Sequence, residues 1–145
     1  MDLKFSSVAA TPSNPTWNNL ISRKDELYKK ENDVRSEFER DYDRIIYCNA
    51  YRRLKHKTQV FFLPKNDHIC TRIEHVNNVD ATSYTIAKAL GLNTTLTRAI
   101  SISHDIGHSP FGHKGEQILN RICMENDLEA FWHERNGLNF VDNIE

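Results

Sequence analysis

Apolar residues recur along most of this chain at helical intervals, with polar runs between them. In RKDELYKKENDVRSEFERDYDRIIYCNAYRRL, residues 23–54, the apolar members Leu27, Val34, Phe38, Ile45 and Ile46 are spaced so that one face can be buried. Ser22 is a candidate cap for this stretch, and Glu31-Asn32-Asp33 is the place to divide it into two helices. The short apolar run TQVFFLP, ended by Pro64, predicts a strand or extended turn near Gln59–Leu63. From Cys70 the helical pattern strengthens. Counted from His75, the residues Val79, Ile86 and Leu90 fall at +4, +11 and +15 on one stripe, and Gly91 is placed to end the helix. Asn93 or Thr94 can cap the next helix, where Leu96, Ile100 and His104 repeat every four residues. Gly107 and Pro110 interrupt it, and a further helix runs from about Phe111 through Cys123 with Ile118, Leu119 and Ile122 on its apolar side. The pattern predicts an all-α protein, with residues 1–19, rich in Ser, Thr, Asn and Pro, as a loose lead-in and 20–145 as the folded unit.

Composition narrows the class without naming a function. With 145 residues, 39% hydrophobic and 27% charged, the chain has one domain's worth of core. A formal net charge of −1 carries no general signal for nucleic acid or a membrane, though it leaves room for a local basic pocket. Cys48, Cys70 and Cys123 are scattered and form no CxxC pair, which fits a reducing compartment better than a disulfide framework. No basic, then apolar leader opens the sequence, and no window reaches the roughly 18 apolar residues of a membrane span. The expectation is a cytoplasmic protein with no membrane partner.

Chemistry concentrates in SHDIGHSPFGHKGE, residues 103–116. His75 and His104 each fall on the apolar stripe of a predicted helix, and Asp105 follows directly. A carboxylate is costly to bury without compensation, and a divalent cation shared by two neutral imidazoles and one carboxylate would satisfy all three. The alternative is that Asp105 pairs with an arginine and the histidines merely pack. His113 and Glu116, three apart, are neighbours on a helix face, where a carboxylate can fix the tautomer and raise the basicity of an imidazole used as general acid or base. An ordinary surface pair is the alternative there. Gly112 and Gly115 would leave space beside them.

Four blocks in order, RDYDRIIYCNAYRRLKHKTQVF, TRIEHV, SHDIGHSPFGHKGE and FWHERNG, resemble the deoxyguanosinetriphosphate triphosphohydrolase family within the HD superfamily of metal-dependent phosphohydrolases. The resemblance runs from about Val34 to Asn139 and implies the N-terminal portion of an HD-type helical bundle. It implies metal ligands at His75, His104 and Asp105, catalytic roles for His113 and Glu116, and phosphate contacts at Arg72, His108 and His133. Gln59 corresponds to a position that reads the deoxyribose, and Arg53 lies in a block near the nucleotide. The implied cofactor is a divalent metal of the Mg, Mn, Co, Fe or Ni class. Its implied substrate is a deoxynucleoside triphosphate, cleaved to deoxynucleoside and triphosphate. A homo-oligomer, and more weakly a nucleic-acid effector, are the implied partners. The family's fourth ligand, an Asp on a later helix, lies well downstream of Asp142, so the C-terminal portion is expected to be absent from this chain. Other readings are a different HD phosphohydrolase or nucleotidase, a non-catalytic nucleotide-binding or regulatory module, or a helical interaction domain.

Overall fold

The computed structural model describes residues 5–25, 28, 30–57, 66 and 68–143. Among them the chain is all-α. The helices are α1 (Trp17–Leu20), α2 (Glu37–Tyr47), α3 (Asn49–Arg53), α4 (Arg72–Leu90), α5 (Thr94–Ser103), α6 (Gly112–Glu125) and α7 (His133–Asn143), with short 3-10 turns at Ser6–Val8 and Leu54–His56. The extended segment expected near Gln59–Leu63 lies outside the described residues, as does Leu27.

Local side-chain chemistry fixes the helix starts. The long helix expected from Ser22 does not begin there. Residues 22–25 are not helical, and α2 starts only after Ser36. Asn32 adopts a left-handed conformation (φ 58°), and Asp33 Oδ1 accepts from the Arg35 N–H at 3.0 Å, a local turn that competes with helix. Ser36 and Glu39 then form a reciprocal capping box (Glu39 N–H to Ser36 Oγ, 3.3 Å; Ser36 N–H to Glu39 Oε2, 2.6 Å). Val34, expected on the buried face, is 99% exposed. Cys48 turns extended (ψ 153°) and separates α2 from α3, where its Sγ accepts from the Tyr51 N–H. Thr71 and Glu74 cap α4, and Gly91 closes it with φ 76°. Asn93 caps α5 by accepting from the Leu96 N–H at 2.9 Å.

α5 lies between α2 and α4. The core beneath gathers Ala50, Tyr51 and Leu54 from α3 and its extension, Val76 from α4, and Ile102 and Ile106 from α5 and the turn after it. The buried stripe of α4 runs through Arg72, Val76, Asp80 and Ala87, one register away from the predicted one, so Ile86 is exposed and His75 borders the core. On α5, Ile100 is likewise exposed while Ala99 and Ile102 are buried. The cause is charge: Arg72 and Asp80 occupy inward positions because each has a partner, which a polarity pattern cannot show. Arg98 of α5 holds Asp80 through both oxygens (3.0–3.2 Å) and donates to the Tyr42 hydroxyl of α2 at 2.9 Å. On α6, Ile118 and Ile122 stay exposed and no residue is fully buried, contrary to the inward apolar side expected of it. The lead-in is tied down at three points. Phe5 N–H reaches the Leu90 carbonyl (3.0 Å), Asn93 Nδ2 reaches the Ala10 carbonyl (2.5 Å), and the Trp17 ring meets Phe38 edge-on at 5.7 Å.

The missing side chain of Gly107 lets α7 approach the turn after α5. A Cβ on Gly107 would lie 2.1 Å from the His133 carbonyl oxygen and 2.2 Å from the Gly137 nitrogen, both backbone atoms that cannot step aside. The Asn136 side chain locks the crossing by donating to the Gly107 carbonyl at 2.8 Å. Gly107→Ala should therefore lower stability by about 1–3 kcal/mol or more, as overpacking does when backbone must move. Chemical denaturation measures this; an unchanged unfolding midpoint would refute the crossing.

Candidate metal centre and histidine cluster

His75, one turn into α4, and His104, at the C-terminal end of α5, bring their rings to 5.6 Å between centroids. Ligand atoms of His75, His104 and Asp105 all lie within 4.8 Å of one another. His104 Nδ1 is 2.6 Å from the Ser101 carbonyl. A carbonyl only accepts, so Nδ1 carries the hydrogen and Nε2 is left with its lone pair. That nitrogen sits 3.5 Å from Asp105 Oδ1. A cation between these two acceptors would satisfy both, and ligand atoms sharing a tetrahedral cation at about 2.1 Å are separated by roughly 3.4 Å. The donor set fits a divalent ion.

Asp105 has a second attachment. Its Oδ2 accepts from Arg72 Nη1 at 2.7 Å, and both side chains are almost fully buried. Burial works to raise the Asp105 pKa, but its interactions with His104 and with the Arg72 guanidinium prevail and hold it below the usual carboxylate value. The arginine pairing weighed as an alternative to the metal thus coexists with the paired histidines: one oxygen of Asp105 faces His104 while the other is pinned by Arg72.

The second group centres on Glu116. After Ser109, the chain turns through Phe111 (φ 65°) and Gly112 (φ 57°) into α6. Gly115 does not open space for a ligand, since a Cβ there would meet the Pro110 carbonyl oxygen at 1.9 Å; its missing side chain accommodates the turn. Glu116 Oε1 accepts from both the backbone N–H (3.0 Å) and Nδ1 (2.9 Å) of His133, while Oε2 faces Nδ1 of the exposed His113 at 3.4 Å. His133 stacks on His108 at 4.1 Å and 16°. The His113 ring stands 5.4 Å from His108 and 6.2 Å from His133. The carboxylate paired with His113 in the sequence is therefore shared, and its tighter partner is His133. That link was not legible, because 17 residues and an irregular segment separate the two.

Electrostatics divides the histidines. Burial, together with the charges of Arg72 and His133, lowers the His108 pKa to about 4, which keeps this ring neutral near pH 7. Its Nδ1 and the Nε of Arg72 are buried with no hydrogen-bond partner among the described residues. Asp105, His108 and His133 also have ligand atoms within 4.8 Å, so the two groups adjoin, yet parallel stacked rings aim their lone pairs poorly at one point.

Arg53, on α3, places its guanidinium 5.4 Å from the Phe140 ring. Gln59 lies outside the described residues. Lys57 was not singled out from the sequence, although it stands in the KTQVF block. Its half-buried ammonium donates to the His108 carbonyl, and its own carbonyl accepts from the Arg72 N–H at 2.9 Å. Burial and the neighbouring charges of Arg53 and Arg72 lower its pKa to about 8.

Residues 72–145, about half of the chain, match the HD-domain family. This chain belongs to the HD-domain family. The closer resemblance drawn from the four blocks is borne out by curated relatives. The chain is 47% identical over 113 residues to a deoxyguanosinetriphosphate triphosphohydrolase-like protein of Caldanaerobacter subterraneus subsp. tengcongensis, covering 78% of this chain and 32% of the relative. It is 48% identical over 112 residues to the protein of that description from Desulfatibacillum aliphaticivorans (77% and 31%). Against that of Bartonella henselae it is 40% identical over 145 residues (100% and 35%). The chain spans about a third of the length of these relatives. Among the described residues no helix is long and apolar enough to cross a membrane.

Glu116 makes the cluster pH-sensitive. Burial tends to raise its pKa, but the hydrogen bonds from His133, and then His113, hold it down to about 2 in the folded chain. A carboxylate depressed in this way contributes stability above its unfolded pKa, near 4.3, and that contribution is lost as pH falls towards 2. Wild-type protein should therefore lose stability more steeply than Glu116→Gln between about pH 5 and pH 2. Thermal unfolding across that range is the measurement, and parallel profiles would show that the ion pairs do not form.

Proposed function

We propose that this chain carries the metal and general-acid portion of a phosphohydrolase that cleaves a deoxynucleoside triphosphate to deoxynucleoside and inorganic triphosphate. The observation that carries the reading is the adjacency of two unlike groups: a His-His-Asp set that calls for a cation, and a Glu116-centred group of imidazoles. The substrate class comes from the names of the relatives, which are deoxyguanosinetriphosphate triphosphohydrolase-like proteins.

A divalent ion held by His75, His104 and Asp105 would supply Lewis-acid polarisation of a phosphoryl oxygen. Arg72 keeps Asp105 ionised and oriented for that role. Hydrolysis adds water oxygen to the α-phosphorus and breaks its bond to the 5′ oxygen, which must leave with a proton. His113, 78% exposed at the side chain and backed by Glu116, would provide that proton from Nε2. His133 orients Glu116 through two hydrogen bonds. His108, kept neutral, offers a hydrogen bond rather than a charge.

The test is product analysis with a panel of deoxynucleoside triphosphates and divalent metals. Triphosphate and deoxynucleoside are the expected products; release of orthophosphate would overturn the substrate assignment. His104→Ala should lose bound metal and turnover together. His113→Ala should keep its metal and lose about 10²–10⁴-fold in kcat, or roughly 3–5 kcal/mol of barrier. Unchanged kcat in His113→Ala would remove this residue from the chemistry.

A further inference from the structure

Among the described residues the buried arginines, Arg40 and Arg72, and the partly exposed Arg98 are each matched to a carboxylate. Arg72 has Asp105 at 2.7 Å, Arg98 has Asp80 at 3.0 Å, and Arg40 has Glu37. Lys57 breaks that pattern. Among the described residues its half-buried ammonium has one hydrogen-bond acceptor, the His108 carbonyl, and no carboxylate within ion-pair distance. An ammonium carries three donors, so two N–H bonds are left over. The cations Arg53 and Arg72 oppose its charge, and Asp105, already bonded to Arg72, is the carboxylate that favours it.

Placement adds a second observation. Lys57 joins the two strands of backbone that bear the metal candidates. Its carbonyl receives the first N–H of α4, three residues before His75, and its side chain reaches the carbonyl of His108, three residues after Asp105. A lysine serving only to tie loops would gain from a carboxylate and lose from two guanidinium groups. A polyanion reverses both terms: it would accept from the two remaining N–H bonds and screen the three cations from one another. The compact, strongly hydrated charge of lysine suits a phosphate oxygen as a point contact.

We propose that Lys57 is a further substrate-contacting cation of this site, its ammonium binding the phosphate chain of the nucleotide while it holds the His108 carbonyl. This rests on the phosphohydrolase reading above. The probe is inorganic triphosphate, titrated calorimetrically into the metal-loaded protein, with Lys57→Arg, Lys57→Gln and Lys57→Met compared. Glutamine can still donate to the His108 carbonyl but brings no charge. Lys57→Gln and Lys57→Met should bind triphosphate at least tenfold more weakly, with unfolding midpoint and metal content unchanged in Lys57→Gln, and Lys57→Arg should stay within about threefold of wild type. In turnover the loss should fall on KM, with kcat within about threefold. The deficit should shrink at about 1 M salt, where charges are screened within roughly 3 Å.

Wild-type binding with Lys57→Gln equal to wild type would overturn the proposal while leaving the phosphohydrolase reading intact, because the carbonyl tie would then account for the residue. A loss in Lys57→Arg as large as that in Lys57→Met would overturn it too, by tracing the effect to loop geometry. No triphosphate binding by the wild-type protein would bring down the parent reading and this one together.

Discussion

The buried ion pair between Arg72 and Asp105 is the constraint on which the site depends. It joins the first residue of α4 to the turn that follows α5, across 33 positions of sequence, at 2.7 Å and almost out of solvent. A buried pair of this kind adds little net stability over a well-packed apolar pair, but removing one partner strands a charge at a cost of about 3–5 kcal/mol. Its value here is positional. With Oδ2 held by the guanidinium, Oδ1 is left facing His104, and His75 is set beside them by the same first turns of α4. Of the alternatives posed by the sequence, the arginine partner takes one oxygen of Asp105 and leaves the other beside His104.

Around this pair the fold supplies rigidity by close approach rather than by a large core. The fully buried apolar side chains are few, with Leu54, Ile102, Ile106 and Val76 the largest. The histidine cluster is instead fixed by backbone contact. Gly107 and Gly137 bring α7 against the turn after α5, which places His133 over His108, and Gly115 lets α6 sit on the Pro110 carbonyl, which presents Glu116. The approaches at Gly107 and Gly115 depend on the absence of a Cβ.

The charge distribution follows from the same geometry. Arg53, Lys57 and Arg72 gather near a single buried carboxylate in a chain whose formal net charge is only −1. A nearly neutral whole conceals a local excess of positive charge.

By itself the sequence determined the helical class, the C-terminal end of α4 and the start of α5, and it named His75, His104 and Asp105 as a candidate ligand set. Gly91 and Asn93 are local signals whose physics needs no partner, and His104-Asp105 needs no more than the reluctance of a carboxylate to be buried alone. It did not determine faces. Ile86 looked inward by periodicity, yet Arg72 and Asp80 hold the inward positions of α4, because a charged residue is buried only where a distant residue neutralises it and periodicity carries no information about distance. The same limit hid the start of α2, where Ser36-Glu39 outcompetes Ser22 through a turn built by Asp33. It also hid the allegiance of Glu116: His113 is its neighbour in sequence, but His133 is its neighbour in space, and hydrogen bonds form between atoms that packing brings within 3 Å. Only the tertiary structure could decide that, since the glycine crossing that delivers His133 is a contact between two backbones and leaves no trace in residue type beyond Gly107 and Gly137 themselves.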